Sequence, residues 1–201
     1  MPRDGSGTRT RLLDAAEQLV ERNGFAATSV DQILAAAGSS KGAFFHHFDS
    51  KRDLAAALVD RYVDADLELL RRGLDAAEGV SDPVDRVLAF LGHYERWAAE
   101  LVSAESACLY IAVLTERDLL DDATAGAVER AIKAWRDAFT TLLLPALEVA
   151  GDPDVDIEAL ADHLFATFEG GYLLCRSLRS AEPMRAQLRV LRQLVAALLR
   201  R

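Results

Sequence analysis

Long apolar runs, strand-like alternation, internal repeats and low-complexity tracts are all missing from this 201-residue chain, and cysteine is scarce. No apolar stretch approaches the roughly 20 residues needed to cross a bilayer. The opening "MPRDGSGTRT" has no apolar core of a secretion signal, so a soluble cytoplasmic protein is expected. The two cysteines, Cys108 and Cys175, make no disulfide framework, and neither has a second ligand at zinc-finger spacing. Both sit in apolar segments and read as small buried hydrophobes; a redox-sensing thiol is the rival reading. No phosphate loop, nucleophile–base arrangement or cofactor motif stands out, and no cofactor or metal is expected.

What the chain does have is an ordinary globular balance, with 51% hydrophobic and 27% charged residues. Its net charge of -9 argues against a protein that coats nucleic acid all over, but the charge is unevenly spread. Residues 1–52 carry seven basic and six acidic side chains, whereas the remainder carries 16 basic and 26 acidic ones. Only the first part is therefore suited to meet a polyanion.

Helical periodicity runs almost throughout. Leu12, Ala16, Leu19 and Val20 share one face, and Asn23-Gly24 closes that helix. "TSVD" predicts a capping box with Thr28 as the cap and Asp31 reaching back to it. Gly38 ends the short second helix, Ser39 or Ser40 caps a third over Lys41–Phe48, and "SKRD" opens a long fourth. Asp82-Pro83 starts a fifth, a sixth follows through "SACLYIAVLTE", and a seventh spans about 122–150. Pro145 should kink that seventh helix or end it early. After the "GDPDVD" linker come two closing helices, over about 157–179 and 183–200. The expected fold class is all-α, with about nine helices.

The first three helices describe a helix-turn-helix, whose second element is built to enter a major groove. In "SSKGAFFHHFDSK", Phe44 and Phe48 are four apart and hold one face inward, which leaves the other side chains to point outward. His46 and His47 are not a metal pair, because adjacent residues of a helix point about 100° apart. From Thr28 to Leu54 the sequence resembles the DNA-binding signature of the TetR family of bacterial transcriptional regulators. The resemblance rests on Thr28, Ile33, Ala37, Gly38, Ser40, Gly42, His47, Phe48, Lys51 and Leu54. Leu34, Ser39 and Phe45 depart from the alanine, valine and tyrosine usual in the family. Phe45 lacks the phosphate-contacting hydroxyl and is suited instead to a thymine methyl or a sugar.

The resemblance implies a DNA-binding domain at 1–52 and an effector-binding and dimerisation domain at 53–201. It implies DNA contacts from Thr28, Ser39, Ser40, Lys41, Gly42, Ala43, Phe45, His46 and His47, with Lys51 as a phosphate clamp. It also implies a homodimer, a double-stranded operator and a small-molecule effector. In the last helix Met184, Leu188, Leu191, Val195 and Leu198 form an apolar seam. Leu164, Phe168 and Gly171 lie on the helix before it. Together these residues are the expected dimer interface, with an intrachain core as the alternative. Tyr94, Trp97, Tyr110, Trp135, Phe139, Phe168 and Tyr172 are the expected border of an effector pocket, with His93 and Glu95 nearby; plain core is the competing reading. The functional expectation is a repressor released from a palindromic operator by an apolar or aromatic ligand. Two rivals remain: a small helical enzyme using paired carboxylates such as Glu116 and Asp118, and an architectural DNA-binding protein without effector.

Overall fold

The computed structural model describes residues 5–101, 110 and 122–200. The described residues contain eight helices and no strand: α1 (Gly5–Asn23), α2 (Val30–Ala37), α3 (Lys41–His47), α4 (Lys51–Glu78), α5 (Pro83–Leu101), α6 (Asp122–Val149), α7 (Ile157–Leu178) and α8 (Glu182–Leu199). Apart from Tyr110, the helix expected through "SACLYIAVLTE" lies outside the described residues, as do Cys108, Glu116 and Asp118. No helix among the described residues is long and apolar enough to cross a membrane.

The chain forms two compact units. Among the described residues the first comprises 5–63, 110 and 122–128, and the second 64–101 and 129–200. The division falls inside α4, between Val63 and Asp64, and inside α6, between Val128 and Glu129.

In the first unit, Leu12, Ala16, Ile33, Phe44, Phe48 and Leu54 build a core in which none is more than 2% exposed. Arg61 fastens α4 to α1 through Asp14, at 2.6 Å, and through Glu17. The cap of α2 differs from the sequence expectation. Ser29, not Thr28, is the cap, and its hydroxyl accepts from Gln32 N at 3.2 Å. Gln32 accepts from Ser29 N in return, at 2.7 Å. Thr28 is unavailable because it is 1% exposed and its hydroxyl donates to Gly24 O at 2.8 Å, closing the turn after α1. Asp31 is one position short of the reciprocal site. Gly38, with φ +57°, ends α2 in the left-handed region that a glycine enters at no steric cost.

In the second unit, α5, α6, α7 and α8 surround an aromatic and aliphatic core. Pro145 neither ends α6 nor shortens it, since the helix continues to Val149. Leu143, Ala146 and Leu147 around it are at most 4% exposed, so their burial offsets the roughly 3 kcal/mol that an interior proline costs.

The expected dimer seam is corrected by burial. Met184, Leu188, Leu191 and Val195 are at most 2% exposed within the chain itself, as is Leu164. Phe168 and Gly171 are buried too, and Leu198 packs half-buried on the same core. The seam is thus occupied by the chain's own α5 and α7. Gly171 exists for close packing, but intramolecularly: a Cβ there would stand 2.6 Å from the Met184 sulfur.

Candidate nucleic-acid interface and sensing core

α3 is a seven-residue helix held by its ends. Ser40 caps it by accepting from Ala43 N at 3.2 Å, and Phe48 closes it with an N–H donated to Phe44 O at 2.9 Å. Phe44 and Phe48 point inward with ring centres 5.6 Å apart, as the spacing predicts. That anchoring turns Lys41, Gly42, Phe45 and His46 to the surface, with Ser39, Ala43 and His47 half-exposed. Phe45 sits edge-on to Phe44 at 5.3 Å between ring centres, yet it is 56% exposed, a large apolar cost for a side chain at the surface. An exposed ring on a short, rigidly capped helix beside Lys41 and two histidines suits contact with base edges and backbone.

Two expected phosphate contacts are placed otherwise. The Thr28 hydroxyl is engaged internally, donating to Gly24 O. The Lys51 ammonium donates to Phe25 O at 2.7 Å and lies 4.1 Å above the Phe25 ring. It braces the α1–α2 turn in the free chain. Lys41 pairs with Asp31 at 3.2 Å, but both side chains are largely exposed, so water and salt compete with that pair and leave Lys41 able to exchange partners.

The second unit holds the aromatic residues expected to border a pocket. Tyr94, Trp135, Phe139 and Phe168 are buried and packed on one another. Tyr94 lies 5.3 Å from Trp135 and 5.5 Å from Phe168, while Phe90 stacks on Phe139 at 5.5 Å. These rings form a filled core. Tyr172 lies half-buried against it, and Trp97 is 46% exposed. Tyr110 belongs to the first unit, edge-on to Tyr62 at 4.9 Å. A cleft of about 380 Å³ lies elsewhere, lined by Leu74, Asp75, Ala77, Glu78, Arg86 and Leu142.

The polar neighbours are largely committed. Burial pushes the Glu95 carboxyl up, but hydrogen bonds from Arg192, at 2.7 Å, and Arg189, at 3.0 Å, outweigh it and hold the group below its ordinary value. Burial, then the Arg96 and Arg72 charges, push His93 down. No group of three or more His, Cys, Asp and Glu among the described residues is arranged to hold a metal.

Sequence reading missed an apolar face. Leu173 and Leu178 on α7 are 63% and 64% exposed, and Val190 and Leu194 on α8 are 45% and 59% exposed. Between these helices runs a groove of about 180 Å³, lined in part by His163, Thr167, Gly170, Leu174, Val190 and Leu194. The signal was present, because α8 carries a second apolar stripe at Val190 and Leu194 beside the one that is buried.

The sequence matches the family description "Bacterial regulatory proteins, tetR family" over residues 12–58 and "Tetracyclin repressor-like, C-terminal domain" over residues 83–191. It is 26% identical over 200 residues to the HTH-type transcriptional repressor NemR of Escherichia coli strain K12, covering 94% of each chain. A shorter match, 41% identical over 76 residues, links it to the HTH-type transcriptional repressor KstR2 of Rhodococcus jostii, covering 35% of this chain and 37% of that one. Among solved structures, a TetR transcriptional regulator from Chloroflexus aurantiacus superposes with a TM-score of 0.76 at 30% identity, covering 95% of both chains. With the capped and anchored α3 in the same place as the first match, the chain belongs to the TetR family of bacterial regulatory proteins and is a DNA-binding transcriptional regulator.

Proposed function

We propose that this chain is a homodimeric repressor that grips an inverted-repeat operator through α3 and is released by a small apolar or aromatic ligand. The observation that carries the reading is the geometry of α3: two buried phenylalanines hold a short helix whose other faces present Phe45, Lys41, His46 and His47. Ser39, Ser40, Gly42, Ala43 and the start of α2, with Thr28 just before its Ser29 cap, complete the proposed contact surface. Lys51 acts by bracing the α1–α2 turn and adds a phosphate contact only if DNA draws its ammonium away from Phe25. Repression is supported by the names of NemR and KstR2, both called transcriptional repressors. Operator binding places the protein in the cytoplasm, and nothing in the proposed activity involves turnover of a substrate.

The proposed dimer uses the exposed stripes of α7 and α8 rather than the buried seam. A twofold axis would pair Leu174, Leu178, Val190 and Leu194 with their copies, covering apolar surface that a soluble monomer leaves exposed at a cost. Effector binding is assigned to the second unit, around Tyr94, Trp135, Phe139, Phe168 and Tyr172. Because these rings are close-packed, a ligand there must part them.

In vitro selection from random duplexes should return an inverted repeat with half-sites one helical turn or a multiple apart. The double variant Leu178→Glu, Leu194→Glu should sediment as a folded monomer at micromolar concentration and bind that duplex at least tenfold more weakly. Recovery of unrelated sequences, or a wild-type monomer that binds the selected duplex at full affinity, would refute the dimeric repressor.

A further inference from the structure

Asp31 is an acid beside a surface that has to approach phosphates, and the fold gives it no cap to make. The reciprocal position of the α2 capping box belongs to Gln32. The Asp31 carboxylate instead meets the Lys41 ammonium, with Oδ1 3.2 Å from Nζ, and the two side chains are 73% and 69% exposed. Lys41 is the first residue of α3, and a recognition helix reaches base edges with its N-terminal residues. The pair therefore sits at the reading end of α3 rather than behind it.

The frame beneath the pair is tightly defined. Ser29 and Gln32 fix the start of α2, and Ser40 fixes the start of α3. Between the helices Gly38 takes φ +57° and the Ser39 N–H donates to Leu34 O at 3.0 Å. Ile33, Leu34 and Phe44 bury the inner faces of both helices, and all of these residues lie in the first unit. A cation and an anion are thus presented side by side, one hydrogen bond apart.

That arrangement has a counterpart in the major groove. A G·C pair shows the N7 and O6 acceptors of guanine and, next to them, the N4 amino donor of cytosine. A Watson–Crick hydrogen bond joins O6 to N4 and sets them about 2.9 Å apart, close to the separation of Lys41 and Asp31. An ammonium over guanine and a carboxylate over cytosine close a ring of hydrogen bonds without breaking the ion pair. No other base pair offers the same set. Cytosine under Lys41 sets donor against donor, and adenine there sets the thymine O4 acceptor against the carboxylate. Thymine under Lys41 keeps one acceptor but brings its methyl beside the ammonium.

We propose that Asp31 and Lys41 act as one specificity element that reads a G·C pair in each half-site, with guanine under Lys41 and cytosine under Asp31. The inference rests on the operator-binding reading above and adds to it a residue, Asp31, and the base pair it selects. An acid in the first turn also suits the positive end of α2, but that role would leave sequence preference untouched. A carboxylate that only faced phosphates would weaken every duplex alike.

The test compares full-length wild type with Asp31→Ala and Lys41→Ala, both at exposed positions, after circular dichroism has shown each variant folded. Binding is measured on the selected duplex and on duplexes carrying the other three base pairs at each half-site position. Wild type should favour G·C over C·G and A·T by about tenfold at one position per half-site. Asp31→Ala should shrink that preference to about threefold or less while the preferences at other positions stay as in wild type. Lys41→Ala should shrink it likewise and bind the selected duplex about tenfold more weakly. An Asp31→Ala protein that binds all duplexes more tightly by one common factor, or that keeps the wild-type G·C preference, would overturn the reading pair and leave the operator reading standing. A wild type that prefers no duplex would bring down the operator reading, and the reading pair with it.

Discussion

Truncating Phe44 to alanine should destabilise the first unit by about 3–5 kcal/mol, the range for removing a fully buried aromatic ring. Phe44 is 0% exposed and shares its core with Leu12, Ile33, Phe48 and Leu54. Those neighbours come from α1, α2 and α4 and from the end of α3, so collapse around the void would have to displace several elements at once. The loss should appear as a lower urea midpoint followed by far-UV circular dichroism. Tryptophan emission is the wrong probe, because Trp97 and Trp135 both belong to the second unit. A folded variant that loses less than about 1 kcal/mol would show that α3 is not anchored by this ring.

Gly73→Ala reverses an ordinary expectation. In an exposed helix interior the change stabilises by about 1 kcal/mol. Here the added Cβ falls 1.9 Å from the Tyr94 oxygen and 3.0 Å from Phe90 Cε2. Neither ring has room to retreat, since Phe90 and Tyr94 are both 0% exposed and pack against Trp135, Phe139 and Phe168. Overpacking of a filled core costs typically 1–3 kcal/mol, so the net effect is a loss. Thermal unfolding of Gly73→Ala beside wild type gives the answer, and an unchanged or raised midpoint would mean that α4 and α5 lie further apart than described.

The helical path and the anchoring of α3 were legible in the sequence because they are local. Phe44 and Phe48 one turn apart, Gly24 and Gly38 at helix ends, and Asp82 before Pro83 each state their role within a few residues, and Asp82 does accept from Asp85 N at 2.9 Å. The α2 cap was missed by one residue because Thr28 and Ser29 are both competent caps. Only the return of the chain to Gly24 draws the Thr28 hydroxyl away. The partner of Lys51 in the free chain was hidden for a similar reason: Phe25, whose carbonyl accepts from it, lies 26 residues earlier. The dimer seam failed at a higher level. Periodicity identifies an apolar stripe but not its partner, and the 184–195 stripe is claimed by α5 and α7 of the same chain while its neighbour stays exposed. The effector border is not legible at this level either, since rings at helical spacing state their burial and not whether a ligand can enter between them.

The central claim, that α3 presents a DNA-reading surface, is tested most directly by titrating the selected duplex with Phe45→Ala. Phe45 is 56% exposed, so the variant should melt close to wild type. It should lose about 1–3 kcal/mol of binding free energy on the selected duplex, the range for a lost base contact, and much less on random DNA. Binding of the selected duplex at wild-type strength by a folded Phe45→Ala protein would contradict the account.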